Sequence, residues 1–219
     1  MNILRYPAAA TLAEALKRPA RDAAELNELV RGVLEDVRRH GDEAIRMYEE
    51  RFDHVTLTDL AVGEEEWTEA EQLVAEDLKA AMQLAHDNIY RFHVAQRFNG
   101  ERVAVTDGVT CWQKAVPIQR VGLYIPGGTA PLFSTVLMLA TPAKIAGCQE
   151  IVMCTPPGRG GRVNPAILVA ARIAGVSKIY KIGGVQAIGA MAYGTESVPK
   201  VYKIFGPGNQ FVMAAKQQV

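Results

Sequence analysis

The chain has 219 residues, of which 49% are apolar and 22% charged, and its 24 basic side chains balance 24 acidic ones. This balance argues against a dedicated nucleic-acid-binding protein and against a polybasic membrane anchor, and no apolar run approaches the roughly 18 residues of a membrane-spanning helix. Because the three cysteines are too few for a disulfide scaffold and the start lacks a signal-peptide pattern, the sequence predicts a cytoplasmic protein.

The first hundred residues have the charged, periodic pattern of amphipathic helices. One helix is predicted over residues 26–37 and is expected to end at Gly41, after which Asp42 is expected to cap a second, short helix. A third is predicted from about residue 64 to about residue 98. Its apolar stripe consists of Leu73, Val74, Leu78, Ala81, Met82, Ala85, Ile89 and Phe92.

Residues 102–116 alternate between apolar and polar side chains around Asp107-Gly108. Asp-Gly between two alternating runs is the strongest short signal for a β-hairpin, because the turn needs positive φ at both central residues. The hairpin is therefore predicted to end a helical segment that spans residues 1–118, part of a domain that sequence beyond this chain would complete.

From residue 119 onward, short β-rich runs alternate with helical stretches. Strands are predicted at residues 121–125, 151–154, 179–182 and 201–205, and helices at about 134–146, 165–174 and 185–193. This alternation is typical of βαβ units in a parallel sheet. The predicted class is therefore α/β: a helical N-terminal segment with a β-hairpin, followed by a Rossmann-like parallel-sheet domain over residues 119–219.

Three glycine-bearing loops follow predicted strands, at residues 124–131, 183–186 and 206–209. In an open parallel sheet, ligands bind at the carboxyl ends of the strands, where helix N-termini present free N–H groups. Any one of these loops alone is as well explained as a tight turn. Together they predict a nucleotide or anion site.

The common catalytic and phosphate-binding motifs are absent. The glycine-rich run at 158–163 lacks the dinucleotide spacing, and the sequence has no Gly-x-x-x-x-Gly-Lys-Ser/Thr loop. His86 and His93 lie two helical turns apart and have no neighbouring ligand cluster, and neither Cys148 nor Cys154 has a histidine nearby in sequence that would activate it. The residues alone therefore identify no acid–base pair and no metal site.

Read with their surroundings, the three loops resemble the signature of the histidinol dehydrogenase family. The resemblance rests on three long motifs: RVGLYIPGGTAPLFSTVLMLATPAKIAGC at 120–148, GGVQAIGAMAYGTESVP at 183–199 and KIFGPGN at 203–209. The short runs GDEA at 41–44 and FD at 52–53 also match the family's first segment. Similarity therefore covers essentially the whole chain.

The resemblance implies an oxidoreductase that converts L-histidinol to L-histidine through an aldehyde, using two NAD in succession and one zinc ion. This is the last step of histidine biosynthesis, and the family acts as a homodimer. By resemblance, Tyr124, Gln186 and Asn209 match the family's NAD-contacting positions, and each lies on one of the three loops. The alternative for Tyr124 is a strand-end tyrosine that only fills the core.

The family's zinc ligands, substrate contacts and catalytic Glu-His pair all belong to a segment that follows the point where this sequence stops. Gln83 and His86 are therefore not taken as the family's Gln-x-x-His zinc pair. The chain is expected to be an N-terminal portion with no catalytic or metal-binding residue of its own, inactive when alone. The helix that Asn209 opens reaches Val219 without a stop signal, although a naturally frayed C-terminal helix would give the same pattern.

Two other functions remain open at this level. One is a paralogous zinc- and NAD-dependent alcohol dehydrogenase on the same scaffold, because the substrate-selecting residues lie beyond Val219. The other is a non-catalytic nucleotide-binding module that is complete as written. A longer protein predicts an exposed apolar face on this chain, whereas a complete module predicts a cooperatively folding monomer.

Overall fold

The computed structural model describes residues 3–17, 24–128 and 130–219. Thr129, in the first predicted loop, lies outside the described residues. The predicted α/β class is confirmed: helices come first, then an antiparallel hairpin, then a four-stranded parallel sheet with its own helices.

The N-terminal helices are α1 (Ala9–Ala15), α2 (Ala24–Tyr48), α3 (Glu64–Leu73) and α4 (Glu76–Val94), and a π-helical turn (Glu49–Asp53) follows α2. The predicted break at Gly41 is confirmed, because this residue has φ +53° and kinks α2. The predicted cap is wrong: the Asp42 carboxylate instead accepts hydrogen bonds from the hydroxyl groups of Thr195 and Ser197. Asp42 therefore connects the kink in α2 to the loop that contains Thr195 and Ser197.

The single helix predicted over residues 64–98 is wrong. Val74 and Ala75 have extended backbone between α3 and α4. The two helices differ in their main packing partner: α3 packs on α6 (Pro165–Ile173), whereas α4 packs mainly on α5 (Phe133–Ile145) and less on α6. The chain turns between them. The turn directs Val74 into the core. Of the eight residues in the predicted apolar stripe, only Val74 and Met82 are buried.

The predicted hairpin is confirmed. Strands β1 (Arg102–Thr106) and β2 (Val109–Trp112) pair antiparallel around Asp107-Gly108. Every residue of both strands is exposed.

The parallel sheet contains β3 (Arg120–Tyr124), β4 (Glu150–Thr155), β5 (Lys178–Lys181) and β6 (Lys203–Phe205), in the order β5-β4-β3-β6. All four predicted strands are confirmed within two residues. The helices between and after them are α5, α6, α7 (Gly184–Tyr193) and α8 (Gln210–Gln218). Because β6 lies on the opposite side of β3 from β4, the sheet reverses its winding direction between β3 and β6.

Two apolar layers cover the sheet. One contains α5 and α6 with α3 and α4, and the other contains α7 and α8 with α2. The N-terminal helices thus pack directly on the helices that flank the sheet, and the domain boundary between residues 118 and 119 stays a prediction. Within the described part of the chain, the helices are all too short or too polar to cross a membrane.

Candidate functional site

A cleft of about 950 Å³ opens at the carboxyl edge of the sheet, where the winding direction reverses between β3 and β6. Open α/β sheets place their ligands at this position. Residues of all three predicted loops line the cleft, together with the start of α7 and the start of α8. We call it the switch-point cleft; Tyr124, Gln186 and Asn209 all contribute to its wall.

Tyr124 ends β3 and is buried, with 4% of its surface exposed. Its hydroxyl oxygen accepts a hydrogen bond from the backbone N–H of Gly184 at 3.1 Å, which joins the end of β3 to the start of α7. Burial raises the pKa of Tyr124 to about 12, so the hydroxyl keeps its proton at neutral pH. The O–H group can therefore still donate one hydrogen bond.

Gln186 lies in the first turn of α7, so the predicted loop 183–186 is shorter than expected. The side chain is buried, and its Nε2 donates to Oε1 of Glu49 at 2.8 Å. Its own Oε1 is buried and has no hydrogen-bond partner among the described residues. A buried carbonyl oxygen without a donor is costly, and here it belongs to a residue of the cleft wall.

Asn209 is the N-cap of α8, as the sequence predicted for the start of this helix. Its Oδ1 accepts hydrogen bonds from the backbone N–H groups of Phe211 and Val212, both at 3.1 Å. The capping role uses the oxygen only, and the residue is exposed. The amide Nδ2 is therefore available as a donor to a bound molecule.

Two acidic residues of the N-terminal segment belong to the same site and were not predicted. Glu49 is fully buried and accepts the backbone N–H of Gly183 at 2.8 Å in addition to Gln186. Asp53, at the end of the π-helical turn, is half-buried and lines the cleft. Their only signal in the sequence was the short run that contains Asp53, which the family resemblance includes.

The described residues contain no group of three or more His, Cys, Asp and Glu side chains that could hold a metal ion. On α4, Nδ1 of His86 lies 3.2 Å from Oδ1 of Asp87 and 3.5 Å from Nε2 of Gln83, away from the cleft residues. Cys148 and Cys154 are buried, and burial raises the pKa of both thiols. They fit the sequence-based expectation of packed, unreactive cysteines.

The comparisons with known proteins agree on one family. The family model described as histidinol dehydrogenase matches residues 16–219. The chain belongs to the histidinol dehydrogenase family. A crystal structure of histidinol dehydrogenase from Elizabethkingia anophelis superimposes with a TM-score of 0.91 at 48% identity, over 97% of this chain and 49% of that one.

Curated members of the family show how much of their length this chain covers. Histidinol dehydrogenase from Bacteroides thetaiotaomicron is 63% identical over all 219 residues, which cover 51% of that protein. The one from Xylella fastidiosa is 51% identical over 96% of this chain and 49% of its own length. The chain thus spans about half the length of the curated relatives it matches, and it corresponds to their N-terminal portion.

Proposed function

We propose that this chain supplies the NAD-binding side of a histidinol dehydrogenase, which oxidises L-histidinol to L-histidine through the aldehyde. One observation carries the proposal: Tyr124 at the end of β3, Gln186 in the first turn of α7 and Asn209 at the start of α8 line one cleft at the reversal point of the sheet. Sequence resemblance had identified these positions from their motifs alone, without reference to their arrangement in space.

The free polar atoms of the cleft suit a dinucleotide. Tyr124 and Asn209 each keep a donor for the ligand, and Gln186 keeps an acceptor. NAD has ribose hydroxyl groups and a carboxamide, which both donate and accept, while the N-termini of α7 and α8 favour its negatively charged pyrophosphate. When bound, NAD accepts the hydride removed from the alcohol carbon.

Zinc does not fit the residues described here, because they form no cluster of three or more metal-ligating side chains. We therefore assign no zinc-dependent step to this chain. The zinc ligands, the L-histidinol contacts and the catalytic pair are proposed for the remainder of a full-length protein, acting as a cytoplasmic homodimer. The 219-residue chain alone should form no NADH from L-histidinol, even with zinc and NAD supplied; substrate-dependent NADH would contradict this.

The test is calorimetric titration of NAD into the 219-residue chain and two variants. Asn209→Ser keeps an oxygen that caps α8 but removes the amide donor, since serine and asparagine are both good N-caps. Loss of one net hydrogen bond should weaken NAD binding by about two- to tenfold. Asn88→Ser, on the exposed surface of α4, is the control and should bind NAD like the parent chain.

A folded parent chain that binds no NAD at millimolar concentration would contradict the proposal. Equal affinities of the parent and Asn209→Ser would remove Asn209 from the site.

A further inference from the structure

Glu49 occupies an unusual position for a carboxyl group. It lies in the π-helical turn after α2, and none of its surface is exposed. A single oxygen, Oε1, accepts two hydrogen bonds at 2.8 Å, from the backbone N–H of Gly183 and from Nε2 of Gln186. Glu49 thereby connects the N-terminal segment to the loop after β5 and to the first turn of α7.

The second oxygen of Glu49 has no donor. No hydrogen bond from any described residue reaches Oε2, and the carboxyl group of Asp53 interacts with that of Glu49. Two carboxyl groups can share a hydrogen bond only if one of them holds a proton. The Tyr124 hydroxyl on β3 and the Cys154 thiol on β4 also interact with this pair, and both are electrically neutral when protonated. The charge of His54 acts on Asp53 and lowers the pKa of Asp53.

The electrostatic environment favours the protonated form of Glu49. Burial is the main cause, and with the neighbouring Asp53 it raises the pKa of Glu49 to about 7. The two donors on Oε1 oppose this increase. Among the described residues no Lys, Arg or His forms an ion pair with Glu49, so no cation offsets the burial of its charge.

The contact with Glu49 also fixes the orientation of the amide group of Gln186, a residue that lines the cleft. Oε1 of Glu49 acts only as an acceptor, so it pairs with the nitrogen end of the Gln186 amide, and Oε1 of Gln186 is left without a partner. The bound molecule must then offer a hydrogen-bond donor at this place, such as a hydroxyl or an amide N–H.

We propose that Glu49 is a positioning residue of the switch-point cleft: as a neutral acid it keeps its proton, donates a hydrogen bond to the Asp53 carboxylate and presents the Gln186 carbonyl oxygen to NAD. This role rests on the proposed function of the cleft. In the neutral state the pair carries the single negative charge of Asp53, which lines the cleft. In the ionised state a second negative charge lies beside it, close to the site of an anionic dinucleotide.

If Glu49 acts as a neutral acid, NAD affinity should decrease as the pH rises. The neutral form of Glu49 is the binding form, so affinity should be highest below pH 7 and should fall as the pH rises above it. Linkage to one proton limits the loss to about tenfold for each pH unit.

The decisive variant is Glu49→Gln. The glutamine oxygen can accept both donors of the native Oε1, and its amide nitrogen can donate to Asp53 at every pH. NAD affinity of this variant should match that of the parent chain at pH 6 and stay constant up to pH 8.5. Glu49→Leu removes the acceptor and should weaken binding at least about tenfold at every pH, because it leaves two buried donors unpaired.

Glu50→Gln is the matched control, since it makes the same chemical change one residue away on an exposed side chain. Its NAD affinity should fall with pH as that of the parent chain does. The melting temperature of each variant identifies any that is not folded. An unchanged pH dependence of NAD binding in Glu49→Gln would overturn the proposal.

A second measurement separates this proposal from the proposed function. The side-chain amide signals of Gln186 in the NMR spectrum of the ligand-free chain should shift with a midpoint near pH 7, and should not shift in Glu49→Gln. If NAD binds but this titration is absent, only the role of Glu49 is wrong. If the titration is present but neither the parent chain nor any variant binds NAD, Glu49 orients Gln186 as described. The proposed function is then wrong, and so is the role of Glu49 in NAD binding.

Discussion

The switch-point cleft and the β1–β2 hairpin lie in the same chain but differ in how deeply their side chains are buried among the described residues. At the cleft, Tyr124 and Gln186 are buried and hydrogen-bonded to groups far away in sequence. In the hairpin, Val105 is 57% exposed and Trp112 56% exposed. A second cleft of about 720 Å³ is lined largely by apolar residues of α5 and of the segment 115–118, which follows the hairpin in the chain.

This difference in burial decides which region can be tested on the chain alone. Contacts within the chain fix the geometry of the switch-point cleft, so ligand binding there can be tested on the chain itself. The apolar side chains of the hairpin have no such cover among the described residues. An exposed apolar face is typical of a surface that packs against further protein, and substitutions on it should have little effect on the stability of this chain.

The largest contrast is expected between two glycines with positive φ. A Cβ at Gly206 (φ +132°) would collide with the backbone carbonyl of Tyr124, whereas one at Gly108 (φ +78°) would meet nothing within 4 Å. Gly206→Ala should therefore lower the free energy of unfolding by about 3 kcal/mol or more, from backbone strain and overpacking together. Gly108→Ala should lower it by about 1–2 kcal/mol, from strain alone.

Urea unfolding of the two alanine variants measures this difference. Equal losses of stability would mean that the loop at Gly206 rearranges at no energetic cost. That result would contradict the predicted collision with the Tyr124 carbonyl.

A second contrast uses one substitution in two strands. Val152 on β4 is fully buried, and Val103 on β1 is 52% exposed. Val152→Ala should reduce the free energy of unfolding by about 2 kcal/mol, because two methyl groups leave the core. Val103→Ala should change it by no more than about 0.5 kcal/mol, and a loss as large as that of Val152→Ala would show that the hairpin is covered in solution.

The smallest expected effect concerns the buried carboxylate that ties α2 to the loop after α7. Although burial opposes ionisation of Asp42, hydrogen bonds from Ser197 and Thr195 hold its pKa below the ordinary value of 3.8. The folded state therefore binds this proton less readily than the unfolded state. Asp42 thus stabilises the fold above about pH 4, and this contribution disappears as the pH falls through the lowered pKa.

Asp42→Asn should cost about 1–2 kcal/mol at pH 7, since a charged acceptor is replaced by a neutral one. Thermal unfolding between pH 2 and pH 7 should show the parent and variant converging at low pH. Asp107→Asn in the exposed hairpin turn is the control, because asparagine also suits that turn. A constant difference between parent and Asp42→Asn across the pH range would contradict the assignment.

The sequence predicted most of the fold because its signals are local. Glycine and proline mark the ends of the βαβ elements, and Asp107-Gly108 identifies the hairpin. The break between α3 and α4 was missed because neither Val74 nor Ala75 is a helix-breaking residue. The break lets α3 pack on α6 while α4 packs mainly on α5, and no local sequence pattern indicates this packing.

The site was predictable only in part, for the same reason. Tyr124 ends β3 and Asn209 lies in the short loop after β6, so their placement at the sheet edge follows from topology. Glu49 belongs to a charged run that normally faces solvent. Its burial depends on Gly183 and Gln186, which are 134 and 137 residues away, and no periodicity or motif indicates such contacts.

The most direct test of the account is to map NAD binding on the ¹⁵N-labelled 219-residue chain by NMR. We expect the backbone amide signals of residues 183–187 and 206–212 to shift as NAD is added, while those of residues 102–112 in the hairpin stay unchanged. Shifts confined to the hairpin, or no shifts at millimolar NAD from a folded chain, would contradict the claim that the switch-point cleft holds the cofactor.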